Sequence, residues 1–371
     1  MKRSYIIAGG GTSGHINPAL AIAAEIKRRE PDAEIAFCGT ARGLESEMVP
    51  RAGFKFYEIR ARGLPRKLSF DTISAVREIL AGRKQCKKLI QQLKPDAVIG
   101  TGGYVCSPLI SAAAAQKVPA LLHEQNAYPG RSNRMLARCC QAVCISFPGT
   151  EKYFRTDAPL IITGNPVRQE FFATNRSAAR EKLNISHDAR IVLVMGGSLG
   201  SATLNSAAAG LADVNIWQKF VREDKQIKLV LAAGRQHYDK VSENTVNCTD
   251  WLQVHEYLYD THLWMAAADL TIARAGAMTC AELAALGRAA ILVPYPYAAG
   301  DHQTYNARSL VNAGAAIMRS DDECSSEWLA EEIIHLFSDP EMITKMGYAA
   351  NKLAKPQAAA DIYDSLVKII K

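Results

Sequence analysis

The sequence has no apolar run approaching the roughly 18 residues of a membrane-spanning helix, so any membrane contact is expected to be peripheral. Its start, Met1-Lys2-Arg3-Ser4, then Tyr5 to Ala8 and three glycines, holds too short an apolar run for a signal peptide, and export is not expected. Nine cysteines are scattered without a Cys-x-x-Cys pair or a His-rich partner. Neither a zinc site nor a disulfide framework is signalled, and a reducing cytoplasm fits. Cys139, Cys140 and Cys144 read as small apolar core residues. Low-complexity segments and recognised nucleic-acid motifs are missing too, so the net charge of +7 does not by itself indicate a nucleic-acid binder.

What is there is ample for two cores. At 371 residues, 48% apolar and 22% charged, the chain exceeds the length at which single cores stop growing. Tyr5-Ile6-Ile7-Ala8 reads as a buried strand, followed by glycines and a helix over Pro18 to Arg29 with Pro in its first turn. Further strands are expected at Glu34 to Cys38, Ala97 to Gly100 and Ala120 to His123, alternating with helices as a parallel sheet requires. The pattern restarts with Arg190 to Met195, the loop Gly196-Gly197-Ser198-Leu199-Gly200 and a helical stretch from Ala202 to Ala212. Strands at Lys228 to Ala232, Leu270 to Ala273 and Ala290 to Val293 follow, with a helix over Thr279 to Leu286. The expected fold class is α/β, with two Rossmann-like, doubly wound parallel-sheet domains. Their boundary is set at the turn-rich Thr163-Gly164-Asn165-Pro166, giving domains over 1–164 and 165–351. A last helix, about 352–371, carries Ile362, Leu366 and Ile369 and is expected to return to the first domain. Ligands should bind at the carboxyl ends of both sheets, in a cleft.

Gly9-Gly10-Gly11-Thr12-Ser13-Gly14 satisfies the G-x-G-x-x-G dinucleotide pattern. A dinucleotide site also wants an acidic residue ending the second strand, whereas Gly39-Thr40 end it here, which counts against a nicotinamide dehydrogenase. Gly196-Gly197-Ser198 and Arg274-Ala275-Gly276-Ala277-Met278-Thr279 offer further helix starts suited to phosphate; the plainer reading of each is a tight strand-to-helix turn. Glu282, expected in the first turn of its helix, could hold a ribose diol or simply complement the helix dipole. Asp-x-Asp, the usual way to hold a metal against a nucleotide-sugar diphosphate, occurs nowhere, so helix ends and side chains are expected to neutralise such a ligand, with no metal and no cofactor.

Six ordered motifs resemble the MurG family of UDP-N-acetylglucosamine transferases: Gly10 to Leu20, Gly100 to Tyr104, His123-Glu124-Gln125-Asn126, Gly164 to Arg168, Gly196 to Gly200 and Asp301 to Ala307. The resemblance spans about residues 5 to 315 and implies the two-domain GT-B fold. It also implies inverting transfer of N-acetylglucosamine from UDP-N-acetylglucosamine to lipid I, undecaprenyl-pyrophosphoryl-N-acetylmuramoyl-pentapeptide, giving lipid II of the bacterial cell wall. Carried over, it implies that Ser198 meets the α-phosphate, Leu258 bonds uracil through its backbone, and Glu282 binds ribose. Ala277, Met278 and Thr279 line the diphosphate, Gln303 bonds sugar hydroxyls and Arg168 lies beside the nucleoside. Asn126 with Thr12, Ser13 and Gly14 close the donor site from the other domain, and Tyr104 belongs to the acceptor side. Family loops often read Gly-Gly-Thr-Gly-Gly-His, so Ser13 is a departure. Inversion needs a base. His15, at the loop-to-helix junction, is the first candidate, because imidazole as a class titrates near neutrality; the plainer reading is a histidine bracing the loop. His123 and Glu124 compete with it.

Between residues 60 and 94 lie Arg60, Arg62, Arg66, Lys67, Arg77, Arg83, Lys84, Lys87, Lys88 and Lys94, against Asp71 and Glu78. Leu64, Leu68, Phe70, Ile73, Val76, Ile79 and Leu80 are interleaved. Such a segment reads either as a docking surface for anionic lipid, about 1 kcal/mol per basic residue, or as a solvated helix with an ordinary core face. Together with this segment, the resemblance implies a peripheral location on the cytoplasmic face of the bacterial plasma membrane, with cell-wall synthesis and division proteins as candidate partners; no nucleic acid is expected. The competing readings are another GT-B glycolipid synthase, a UDP-N-acetylglucosamine epimerase, and a non-catalytic nucleotide-sugar-binding membrane partner.

Overall fold

A computed structural model describes residues 2–63, 70–197 and 200–370. Ser198 and, from the basic segment, Leu64, Arg66, Lys67 and Leu68 lie outside these, as do the side chains of Phe70 and Asp71.

The chain forms two compact units, Met1–Val167 with Lys355–Lys371, and Arg168–Ala354. In the first, β1 (Ser4–Ala8), β2 (Glu34–Gly39), β3 (Lys55–Glu58), β4 (Ala97–Gly100), β5 (Ala120–Glu124), β6 (Ala142–Ile145) and β7 (Leu160–Ile162) make one sheet in the order 3-2-1-4-5-6-7. In the second, β8 (Arg190–Met195), β9 (Ile227–Ala232), β10 (Leu252–His255), β11 (Leu270–Ala273), β12 (Ala289–Leu292) and β13 (Ala316–Met318) run in the order 10-9-8-11-12-13. Neighbouring strands are parallel throughout; Ile6, for example, sits opposite both Ala36 and Val98. Helices cover both faces of such a sheet, which is why central strands such as Tyr5 to Ala8 are apolar at every position and wholly buried.

Both sheets are doubly wound, and the order reverses between β1 and β4 and again between β8 and β11. At a reversal the connections leave for opposite sides, opening a crevice beyond the carboxyl ends of the two strands. The glycine-bearing segments stand at those four strand ends: Gly9–Thr12 after β1, Thr101–Tyr104 after β4, Gly196, Gly197 and Gly200 after β8 and Arg274–Gly276 after β11.

Several boundaries differ from expectation. The helix expected over 18–29 runs Ser13–Arg29 with Pro18 inside it. Only the bond to the Gly14 carbonyl is forgone, near an N-terminus where few such bonds exist anyway. The unit boundary falls after Val167 rather than after residue 164. Asn165 donates to the Gln125 carbonyl at 3.0 Å and accepts from Ser146 Oγ at 2.8 Å, and Val167 is buried, so these residues stay with the first core. The returning helix is Ala358–Ile369; its Ile362 and Leu366 are fully buried among Tyr5, Ile7, Ile22 and Phe37, each such burial contributing about 1.5–3 kcal/mol. The nine cysteines are free, and all but Cys139 are buried.

Candidate active site

In the first unit two glycine segments are knitted together. The Thr101 amide donates to the Ala8 carbonyl at 2.9 Å, and the Thr101 hydroxyl donates to the His15 carbonyl at 2.7 Å. Gly103, at φ 82°, lies so close that a Cβ would come within 2.2 Å of the Gly10 carbonyl oxygen. Beneath the first loop sits Glu45, its side chain 1% exposed. Its carboxylate accepts from the amides of Gly11 and Thr40, both at 3.0 Å, and from the Thr40 hydroxyl at 2.9 Å. The Gly11 amide, which a dinucleotide site would aim at pyrophosphate, is thus taken by a carboxylate of the chain itself. Tyr104 joins this cluster, its ring against Gly11 and its hydroxyl 3.3 Å from Thr40 Oγ1. Sequence reasoning missed Glu45; the only local signal was a pair of carboxylates, Glu45 and Glu47, in the first turn of the helix Glu45–Arg51 that follows β2.

Thr12 is exposed and precedes the helix in an extended conformation, and Ser13, Gly14 and His15 are the helix's first three residues. No acidic residue occupies that first turn, so its partial positive charge is not neutralised locally. His15 is partly buried, with Nδ1 3.1 Å from the Thr101 carbonyl oxygen and 2.9 Å from Gln125 Oε1. The other two candidates for the base are placed differently. The Glu124 carboxylate is buried and accepts four hydrogen bonds: from the amide and side chain of Asn126 at 2.9 and 3.0 Å, from the Gly130 amide at 3.0 Å and from Asn133 Nδ2 at 2.9 Å. It organises the loop that carries Asn126. His123 is wholly buried, and burial lowers its imidazole to about 4. Neither group stands open to a substrate hydroxyl, because each ends a strand inside the sheet rather than in the loop beyond it.

In the second unit the loop after β8 passes through Gly197 (φ 88°) and Gly200 (φ 79°). A Cβ on Gly200 would lie 2.1 Å from the Ala233 carbonyl oxygen. Ser201 caps the helix Ala202–Gly210, its hydroxyl accepting the Leu204 amide at 3.3 Å. Arg274, at the end of β11 and almost fully buried, donates to Ser201 Oγ at 2.7 Å and to the carbonyls of Val293 and Pro294, and pairs with Asp321. One guanidinium therefore fixes three segments at the carboxyl edge of the sheet, a role sequence reasoning also missed.

The helix expected over 279–286 starts at Ala277, so Ala277, Met278 and Thr279 form its first turn and Glu282 falls in the second. Glu282 does not complement the helix end. It is partly buried, and burial raises its carboxyl to about 7 against the opposing influence of Arg168. Arg168 is exposed, its guanidinium 5.4 Å from the Phe171 ring centre. Leu258 is buried between Tyr257 and Tyr259, which are exposed and meet edge to face at 4.9 Å. Gln303 accepts the Tyr295 amide through Oε1 at 2.9 Å, which leaves its NH2 group directed elsewhere. Its helix, His302–Asn312, is anchored to the loop after β11 by Asn306 Nδ2, 3.1 Å from the Ala275 carbonyl oxygen.

Comparison with known proteins follows this division. The glycosyltransferase family 28 N-terminal domain matches residues 5–145, and the family 28 C-terminal domain matches residues 191–362. The UDP-N-acetylglucosamine--N-acetylmuramyl-(pentapeptide) pyrophosphoryl-undecaprenol N-acetylglucosamine transferase of Acetivibrio thermocellus is 42% identical over 99% of this chain and 98% of its own. The crystal structure of Acinetobacter baumannii MurG is similar with a TM-score of 0.75 at 28% identity, covering 99% of this chain and 100% of that one. A UDP-GlcNAc 2-epimerase from Neisseria meningitidis bound to UDP-GlcNAc shares the fold, with a TM-score of 0.68 at 15% identity over 99% and 100% of the two chains. With both halves matched and a relative so similar from end to end, the chain belongs to glycosyltransferase family 28, in its MurG branch.

Proposed function

We propose that this chain transfers N-acetylglucosamine from UDP-N-acetylglucosamine to undecaprenyl-pyrophosphoryl-N-acetylmuramoyl-pentapeptide, forming the lipid-linked disaccharide of peptidoglycan synthesis. The observation that carries this reading is the 42% identity, along 99% of the chain, to a relative named for that activity. The likeness to epimerases, at 15% identity, extends to the fold alone.

The reaction proposed is an inverting displacement. An acceptor sugar hydroxyl attacks the anomeric carbon while UDP departs, so the site must remove a proton and receive a leaving diphosphate. His15 is the proposed base. For the leaving group, the amino ends of the helices Ala202–Gly210 and Ala277–Leu286 supply aligned amides and partial positive charge without reorganisation. Glu282 is proposed to accept the ribose hydroxyls, Leu258 to sit against uracil and the Gln303 NH2 to bond the sugar.

The acceptor is a lipid, and we further propose peripheral docking at the cytoplasmic membrane surface through the helix Phe70–Leu93. Ile73, Val76 and Leu80 are 53%, 42% and 57% exposed and share one face by their spacing of three and four. Exposed Arg77, Arg83, Lys84, Lys87 and Lys88 accompany them. Among the described residues no helix is long and apolar enough to cross a membrane.

The test is a transfer assay with UDP-N-acetylglucosamine labelled in the sugar and the lipid acceptor in vesicles. A β-linked disaccharide on the lipid, with release of UDP, is expected. Formation of UDP-N-acetylmannosamine in the absence of acceptor, with no lipid-linked product when acceptor is added, would overturn the reading.

A further inference from the structure

His15 is the first member of a hydrogen-bond chain that runs into the core of the first unit. Its Nδ1 faces the Thr101 carbonyl oxygen and Gln125 Oε1. Gln125 Nε2 reaches back to His123, 2.8 Å from Nδ1 and 3.2 Å from the carbonyl oxygen. His123 Nε2 lies 3.1 Å from the Gly164 carbonyl oxygen, with Ser146 Oγ at 3.4 Å. Thr101, His123 and Gln125 are all completely buried.

Three backbone carbonyls decide where every hydrogen in this chain resides, because a carbonyl oxygen only accepts. The Thr101 carbonyl requires a hydrogen on His15 Nδ1. The His123 carbonyl requires the nitrogen end of the Gln125 amide to face it, which turns Oε1 toward His15. The Gly164 carbonyl requires a hydrogen on His123 Nε2, leaving His123 Nδ1 as the acceptor for Gln125. Turning the amide over would set donor against donor at His15 and acceptor against acceptor at the His123 carbonyl. Burial keeps His123 neutral at physiological pH, so its Nδ1 lone pair is present. Gly102 completes the arrangement: at φ 106°, a Cβ there would come within 2.7 Å of His15 Nδ1. Among the described residues no hydrogen-bond partner is found for His15 Nε2.

We propose that Gln125 is a positioning residue: with the Thr101 carbonyl it holds His15 in the Nδ1–H tautomer, so that Nε2 carries the lone pair offered to the acceptor hydroxyl. Buried His123 in turn fixes the Gln125 amide. This rests on the reading of His15 as the base. In the transfer the O–H bond of the acceptor breaks and its oxygen bonds the anomeric carbon. The bond from that carbon to the UDP oxygen breaks with its electron pair going to UDP, and the proton passes to His15 Nε2. The resulting imidazolium keeps its Nδ1–H between two oxygens, whose partial negative charge stabilises it.

The test uses the full-length protein with 15N-labelled histidine, observed at pH 8 by long-range 1H–15N spectra, with His15→Gln and His123→Asn assigning the two rings. Expected are a pyrrole-type Nδ1 and pyridine-type Nε2 for His15, and the reverse for His123. A pyrrole-type Nε2 on the ring whose signals disappear in His15→Gln overturns the proposal, and this holds whether or not Gln125→Met folds. In Gln125→Met, kcat should fall at least about tenfold while KM for UDP-N-acetylglucosamine changes less than about twofold, and the His15 shifts should move toward the tautomer average. A Gln125→Met enzyme with unchanged kcat and unchanged His15 shifts also overturns it. Should His15→Gln retain full kcat while the wild-type spectra are as expected, the base reading fails and the tautomer assignment stands, so the two failures are distinct.

Discussion

A carboxyl raised to about 7, as at Glu282, is divided between acid and carboxylate at neutral pH, whereas a ribose diol needs an acceptor for both hydroxyls. Affinity for UDP-N-acetylglucosamine should therefore tighten by up to about tenfold between pH 6 and 8 as the proton leaves. In Glu282→Gln the affinity should be weaker and flat over that range, as read by calorimetry. An equally steep pH dependence in the variant would remove Glu282 from the donor site. Stability of the unliganded chain runs the other way. The unfolded carboxyl ionises near 4.5 and the folded one near 7, so this group's contribution declines as pH rises through that window. At this scale the sequence exposed His15, Glu282 and the glycines, since each stands beside a strand-to-helix junction visible in a short window. Glu45, Gln125 and Arg274 were not legible, because their significance lies in distant partners. Gln125 meets His15 across 110 positions, and Arg274 meets Ser201 across 73.

Among the elements, buried strands such as β1 and β8 announced themselves by unbroken apolar runs, although the equally buried β6 was not expected. β3, with exposed Lys55 and Glu58 at its ends, carries no such run, and β7, with exposed Ile162, offers only three apolar residues; neither was expected. Edge strands need cover on fewer sides, so composition marks them weakly. The returning helix Ala358–Ile369 was legible from its helical spacing, and its packing makes a sharp prediction. Leu366→Ala should destabilise the first unit by about 2–5 kcal/mol through lost burial and the cavity left behind. All four tryptophans, Trp217, Trp251, Trp264 and Trp328, belong to the second unit. In urea the variant should therefore lose far-UV circular dichroism at lower concentration while its tryptophan fluorescence transition stays in place. A fluorescence midpoint that moves in parallel would show that the two units unfold as one.

For the whole molecule, the restart of the strand–glycine–helix pattern near residue 190 was enough to expect two units. The exact division was not, because Asn165 is held by the Gln125 carbonyl just after β5 and by the Ser146 hydroxyl just after β6, partners that no local pattern reveals. The basic helix was legible as a face but not as exposed or buried, since the same spacing serves both. Replacing Ile73 and Leu80 together by Asp should lower partition onto phosphatidylglycerol vesicles by more than about tenfold and leave UDP-N-acetylglucosamine affinity unaltered. Binding of the native protein should weaken as salt is raised. Vesicle binding indifferent to the double substitution would locate docking elsewhere.

The return of Lys355–Lys371 to the first unit also bears on how the protein is made. During synthesis the second unit, uninterrupted from Arg168 to Ala354, can leave the ribosome whole and fold at once, since domains fold as units while the chain emerges. The first unit, begun earlier, must wait with the face of its sheet that Ile362 and Leu366 cover still open to solvent. The half of the molecule translated first is therefore finished last, and the nascent chain exposes that apolar face for the whole time the second unit is being translated.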